Sequence, residues 1–270
     1  KFPVITLVFC IFLVSCSLEG GGSLAKIQKS GKLTVLTRNA PTTYYFDSSE
    51  QATGPEYEMV EAFAKSLSVK TEYKVFNTKN EVLDALEKGQ GDFAAAGLVR
   101  TKVRDKRFLF GPVYQHVQQQ IVCQNSVKSI REIKDLVGLK LVVPKNSSYE
   151  ENLNHIKVNL PDVDWESSDE LSSEQLFEKI GTEEVDCTVV DSGITSLNRR
   201  YFPELIVSFE LTKAEPLAWA FRPRSISLQK RVETWFKEFQ SSGKMDQIRE
   251  RYYGFIKTFD YVDTIAFHNA

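Results

Sequence analysis

The chain has 270 residues, and its 34 Lys and Arg nearly balance 36 Asp and Glu, for a formal net charge of −2. With 42% apolar residues it has the make-up of an ordinary globular chain, and no basic block marks a nucleic-acid surface. Three scattered His residues and the lack of any Cys-x-x-Cys pair leave no metal-ligand spacing, and nothing indicates a cofactor.

Lys1 is followed by an apolar run from Phe2 to Val14, broken only by Pro3, Thr6 and Cys10. A bilayer span needs about 20 apolar residues, so this run is too short to be one. Its positive start, and the small Ser15 ahead of Cys16, read as a secretory signal over 1–15. Gly20-Gly21-Gly22-Ser23 then predicts a tether over 16–25. No later run is long enough for a second anchor.

Lys32–Thr37 reads as a strand, and a loop rich in Pro, Thr, Asp and Ser follows. Helical spacing puts Met59, Val60, Phe63, Ala64 and Leu67 on one face of a helix over Glu56–Leu67. Thr71–Phe76 is a strand, Glu81–Lys88 a helix stopped by Gly89, and Asp92–Ala96 is apolar again. That alternation implies a parallel sheet flanked by helices. A second series begins at Gln118–Cys123. It contains strands at Leu139–Val143 and Val185–Val190 and helices at Ser147–Ile156 and Ser173–Ile180. A strand at Leu217–Phe221 and helices at Leu228–Phe239 and Met245–Tyr252 close the chain. The polar connector Gln118-Gln119-Gln120 marks a hinge. The expected architecture is α/β with two lobes, each a mixed sheet flanked by helices: 26–117 with 216–254, and 118–215. Cys123 and Cys187 both lie in strand-like runs. An oxidising compartment permits a disulfide, and two buried thiols fit equally well.

Residues Leu13-Val14-Ser15-Cys16 resemble the lipobox of bacterial lipoproteins. The resemblance implies acylation of Cys16, and Ser17 in place of Asp implies the periplasmic face of the outer membrane. One acyl chain gives only marginal membrane binding, so stable anchoring requires more than one. In the body of the chain, LTVLTRNAPTTYYF, GPEYEMVEAFAKSLSV, ALEKGQGDFAAAGLVRTKVRDKRFLFGPVY and VDCTVVDSGIT resemble the opening strand, first helix, arginine stretch and second-lobe strand of one family. That family is the amino-acid-binding group of bacterial extracellular solute-binding proteins, type II, and the match runs from about Lys26 to Gly254. It implies a small-molecule ligand whose charges lose water between the lobes, where each must meet opposite charge or oriented dipoles.

Arg104 then aligns with the family's arginine, whose guanidinium fork fits a carboxylate; a solvated Arg among Lys102, Lys106 and Arg107 is the alternative. Asp191 ends an apolar strand, where it either receives the ligand ammonium or caps the next helix. Ser147 and Ser148 precede a helix whose free amides suit a carboxylate, although a plain N-cap uses one hydroxyl as well. Tyr44, Tyr45 and Phe46 lie where the family stacks an aromatic on the ligand, and Gly97 opens the arginine stretch. Two residues after Gly97 the family's hydroxyl residue is replaced by Val99, which removes a hydrogen bond to a free amino acid.

Beyond the last helix, Phe259-Asp260-Tyr261-Val262-Asp263-Thr264 resembles the linker of the membrane-bound lytic murein transglycosylase F family, in which a lysozyme-like catalytic domain follows a solute-binding-like one. By that resemblance 255–270 leads toward a catalytic domain and the partners include peptidoglycan, with an amino acid or muropeptide stem as ligand. The one Glu-Ser pair, Glu166-Ser167, lies outside the expected helices, the Gly-Leu-Met-Gln and Ala-Tyr-Asn signatures of such lyases do not occur here, and no catalytic residue is assigned. The alternative is a free-standing amino-acid-binding lipoprotein of an ABC transporter. Mass spectrometry of the mature protein is expected to find acylated Cys16 as its first residue. An unmodified Cys16, or cleavage elsewhere, removes the anchor.

Overall fold

The computed structural model of the protein describes residues 23–127, 130–199 and 201–254. The expected signal at 1–15, Cys16 and the linker at 255–270 lie outside the described residues. The first element, α1 (Ser23–Ser30), takes up the last part of the expected tether. Ile27 is buried there, Leu24 packs on the same core, and the Ser23 hydroxyl lies 3.3 Å from that of Ser227. Apolar anchoring at two positions makes α1 part of the folded unit, so Ser23–Ala25 do not behave as the tether expected there.

The first lobe is built on β1 (Lys32–Arg38), with a short hairpin of β2 (Tyr45–Phe46) and β3 (Ala52–Thr53) at its side. α2 (Pro55–Leu67) follows Gly54, whose φ is +129°. A Cβ at Gly54 would sit 2.3 Å from the Thr43 carbonyl oxygen, so only glycine lets the chain pass there. β4 (Lys70–Phe76) pairs in parallel with β1, α3 (Lys79–Glu87) starts in a capping box of Thr78 and Glu81, and β5 (Phe93–Ala94) pairs on β1's other edge.

A strand that sequence patterning passed over, β6 (Leu109–Val117), follows. Gly111-Pro112 breaks its alternation, and a proline is tolerated because β6 is the edge of its sheet. The chain then enters the second lobe through the single residue Gln118. There β7 (Gln119–Gln124) is the centre of the sheet β10-β7-β11. β8 (Val142–Pro144) and β9 (Glu166–Ser168) form a parallel pair, with α4 (Ser148–Lys157) between them. α5 (Ser173–Gly181), β10 (Cys187–Asp191), α6 (Ser192–Asn198) and β11 (Leu205–Glu210) complete this lobe.

The strand expected at Leu139–Val143 shrinks to β8. Leu139 is held in a turn by the Leu136 carbonyl, Gly138 has a φ of +83°, and Leu141 makes only an isolated bridge to Cys187. β11 and α6 were not expected; β11 is an edge strand with largely exposed residues and so lacks a clean alternation.

β12 (Glu215–Phe221) returns to the first lobe and pairs antiparallel with β5 and β6, giving the order β4-β1-β5-β12-β6. α7 (Ile226–Ser241) and the helical residues 244–254 cover that sheet. The first-lobe core is aromatic. Trp235 stacks on Phe239 at 4.7 Å and lies parallel to Trp219 at 5.9 Å, and Trp219 meets Phe93 at 5.0 Å. Such packed ring pairs add about 0.5–1.5 kcal/mol each beyond their buried area.

Cys123 and Cys187 stand opposite each other in the β7–β10 register and are joined as a disulfide, which decides between the two alternatives open in the sequence. The bond closes a span of 64 residues across the middle of the second lobe. Replacing both cysteines by Ala is expected to destabilise the oxidised protein by about 2–4 kcal/mol, chiefly by freeing the unfolded chain. Urea melts of the double variant against the parent measure it; equal midpoints would mean that the bridge adds nothing.

Candidate ligand site between the two lobes

Strand-then-helix connections place the start of each following element at the carboxyl end of its sheet, where α/β folds present ligand-binding groups. Here the carboxyl ends of the two lobes face one another. From the first lobe come Arg38 at the end of β1, Lys79 at the start of α3, Gly97 after β5, and Arg104 in the turn that precedes β6. From the second come Ser147 and Tyr149 at α4, Glu174 in the first turn of α5, and Asp191 at the end of β10.

Two ion pairs cross between the lobes. The Lys79 ammonium donates to Asp191 Oδ2 at 2.5 Å, and the Tyr149 hydroxyl donates to the same oxygen at 2.9 Å. Arg38 meets Glu174 with both prongs, Nη1 to Oε2 at 3.1 Å and Nη2 to Oε1 at 3.0 Å. Burial alone would depress the Arg38 guanidinium, yet the charge and hydrogen bonds of Glu174 raise it above its ordinary value. Burial pushes Glu174 the opposite way, and Arg38 overcomes this to hold it below the usual range. Lys79 differs: burial lowers its pKa, and Asp191 restores only part of the loss. A buried pair of this kind adds little net stability, but removing one partner strands the other charge.

Arg104 is 4% exposed. It is therefore not the solvated member of a basic run. Its Nη1 donates to the Val99 carbonyl at 2.7 Å, and its Nη2 is buried without a hydrogen-bond partner among the described residues. Burial lowers its pKa, while the charges of Glu151 and Asp191 act against that. Val99 thus contributes its backbone oxygen where the family pattern has a hydroxyl.

Asp191 precedes α6 without capping it through its side chain; the carboxylate turns instead to Lys79 and Tyr149. Ser147 is the N-cap of α4 and accepts from the Glu150 amide at 3.2 Å, while Ser148 is buried in the first turn. Ser147 also lines a narrow cavity between the lobes with Arg38, Lys79 and Tyr149. Gly97, with a φ of +62°, lines a second one with Thr42, Tyr114 and Asp191. Tyr44 and Tyr45 line neither cavity. Tyr44 stacks on Tyr73 at 4.9 Å and meets Tyr57 edge-on, and Tyr45 lies in the β2–β3 hairpin against the first-lobe core. Their rings are drawn into apolar clusters because this removes more of their surface from water than a cleft wall does.

Sequence reasoning singled out neither Arg38, Lys79, Tyr149 nor Glu174. A charged residue closing an otherwise apolar strand was the available signal for Arg38, as for Asp191; Lys79 sits just behind a helix cap and carries no signal of its own.

Glu56 was also missed. Its carboxylate accepts from the Gly97 amide at 2.8 Å and the Tyr114 hydroxyl at 2.6 Å, and burial raises its pKa from 4.5 to about 7. An acid raised by folding binds its proton more tightly in the folded state. Its contribution is therefore full below 4.5 and is lost as pH climbs through about 7. That gap corresponds to about 3 kcal/mol at ~1.4 kcal/mol per pH unit. Urea melts at pH 5 and pH 8 should show the parent losing stability relative to Glu56→Gln as pH rises. Parallel pH profiles would refute the assignment.

The comparisons with known proteins agree with this fold. Residues 32–255 match the family model of bacterial extracellular solute-binding proteins, family 3. The membrane-bound lytic murein transglycosylase F of Saccharophagus degradans is 34% identical over 99% of this chain and 54% of its own length. That of Aliivibrio fischeri is 36% identical over 96% of this chain and 53% of its own length. The chain thus spans about half the length of the curated relatives it matches. Among solved structures, a mutant of ArgBP from T. maritima superposes with a TM-score of 0.78 at 20% identity, over 86% of this chain and 99% of that one. An ancestral arginine-binding protein bound to glutamine gives 0.75 at 26% identity, over 83% of this chain and 98% of that one. With its two lobes, their facing carboxyl ends and a match over most of its length, this chain belongs to the bacterial extracellular solute-binding proteins, family 3.

Proposed function

We propose that the chain is the ligand-binding, regulatory part of an outer-membrane lytic murein transglycosylase F-like lipoprotein that acts in peptidoglycan turnover. One observation supports the binding reading most: Arg104, which lines neither cavity, is buried within the field of Glu151, Asp191 and Tyr149 of the other lobe, and one guanidinium nitrogen has no hydrogen-bond partner among the described residues. Leaving such a donor unmet is costly, and a ligand carboxylate meets it. The ligand is a small carboxylate derived from an amino acid or a peptide, a muropeptide stem included. Lobes of 26–117 with 216–254, and of 118–215, swing about the crossings at Gln118 and at 211–214. Those crossings lie side by side, with the Leu211 amide donating to the Gln119 carbonyl at 2.6 Å and the Gln119 amide to the Thr212 hydroxyl at 3.0 Å. A ligand that binds the closed state preferentially shifts the population toward it, and the helical residues 244–254 pass that change to the linker.

A second reading has one observation in its favour. The chain covers 98–99% of the solved arginine-binding proteins to which it is similar, so it spans the length of a complete receptor. On that reading it is a free-standing amino-acid-binding lipoprotein of an ABC transporter. The gene sequence downstream of Ala270 separates the two.

Binding itself is tested by calorimetry with free amino acids, N-acetyl amino acids and stem peptides. Truncating one partner of a desolvated charge pair costs about 2–5 kcal/mol, so Arg104→Ala should weaken binding by roughly 30-fold or more. Arg104→Lys should restore it only in part, because an ammonium lacks the fork. An Arg104→Ala protein that binds like the parent would place the ligand elsewhere.

A further inference from the structure

The acidic groups that face the cleft are already engaged by the chain's own donors. Asp191 holds Lys79 and Tyr149 on Oδ2, Glu174 holds both prongs of Arg38, and Glu56 holds the Tyr114 hydroxyl and the Gly97 amide. Glu151, which reaches across from α4, accepts from the Thr101 hydroxyl at 3.0 Å.

The unmet groups of the cationic side chains are all donors. Arg104 Nη2 and Arg38 Nε are buried without a partner among the described residues, on side chains 4% and 2% exposed. Arg38 lines a cavity together with Lys145 and with Thr78, Ser147 and Ser172. Those last three are the N-caps of α3, α4 and α5, so three helix ends of positive polarity meet at one cavity. The one acid in that lining, Asp169, is exposed and paired with Lys145 at 2.9 Å. Asp191 Oδ1 is an unmet acceptor, but it belongs to a carboxylate whose charge Lys79 already balances.

We infer that Lys79 sets the ligand class: its ammonium fills the place at Asp191 that a ligand ammonium would need, so the cleft takes a carboxylate with no free α-ammonium. An N-acylated amino acid or an N-blocked peptide has that chemistry. A free amino acid must either expel Lys79 from a closed, desolvated pair or set its ammonium on Asp191 Oδ1 beside the Lys79 ammonium, two cations against one carboxylate, and both are costly. This inference rests on the reading of the cleft as a ligand site and narrows it.

Calorimetry on the whole chain tests it, with N-acetyl-L-alanine, N-acetyl-L-glutamate and N-acetyl-alanyl-alanine against their unblocked counterparts. The parent is expected to bind each blocked acid at least about tenfold more tightly than its free form, a difference of ~1.4 kcal/mol. Lys79→Met keeps the length of the stem but frees Asp191, and should reverse the order by gaining affinity for the free amino acids. If the parent binds free amino acids as tightly as blocked ones, Lys79 does not set the class, and the ligand-site reading survives without this inference. If no probe binds either parent or Lys79→Met, the ligand-site reading falls, and this inference with it. Should Lys79→Met fail to fold by circular dichroism, the preference of the parent alone decides.

Discussion

Arg38, Lys79, Arg104, Glu174 and Asp191 lose most of their water where the two lobes meet, and the closed structure depends on meeting that cost. Taking an ion out of water costs several kcal/mol even after relaxation, and a well-formed pair roughly returns it. The two-pronged Arg38–Glu174 contact and the Lys79–Asp191–Tyr149 cluster are such returns, and both exist only while the lobes are together. Closure is thus a near-balance of large opposing terms, which is the condition under which a small ligand can tip it. Asn77 adds lighter contacts across the cleft, to the Glu170 carbonyl at 2.6 Å and to Gln175 at 3.2 Å.

Sheet topology supplies the precision these pairs require. Lys79 and Glu81 are the first and third residues of a capped helix start, so the box that fixes α3 also fixes where Lys79 leaves the backbone. Asp191 closes the edge strand β10, which the Cys123–Cys187 bridge ties to the central strand β7. A single residue, Gln118, separates the end of β6 from the start of β7, so the sheets that carry the cations and the anion are joined by a very short connection.

The sequence carried most of the fold because its strands and helices obey clean periods. Met59, Val60, Phe63 and Ala64 lie buried on one face of α2, and Leu33, Val35 and Leu36 are buried in β1. It hid β6 behind Gly111-Pro112 and β11 behind an exposed edge, where periodicity is weak for physical reasons. The site was half legible. Asp191 and Arg104 stood out by strand position and by family pattern, and both lie buried where the two lobes meet. Lys79 and Glu174 did not stand out, since a charged residue in the first turn of a helix is ordinary until the fold sets a second lobe against it. Tyr44 and Tyr45 were misleading because aromatic residues have a stronger claim on a core than on a cleft.

The same balance bears on how a ligand acts. A ligand with equal affinity for open and closed lobes shifts nothing, however tightly it binds. If the lobes part, Arg38 and Lys79 lose their partners across the cleft to water, and a carboxylate would gain little from them. With the lobes together Arg104 keeps a buried nitrogen with no partner among the described residues, so on the proposed function a carboxylate there would relieve a penalty of the closed state. Lys79 already balances the charge of Asp191 on closure, so on the inference that Lys79 sets the ligand class an ammonium on the ligand would meet no uncompensated negative charge there, although Asp191 Oδ1 keeps an open acceptor site among the described residues. On the proposed function, differential affinity therefore resides in the anionic end of the ligand, and Arg104 is the residue through which occupancy would become closure.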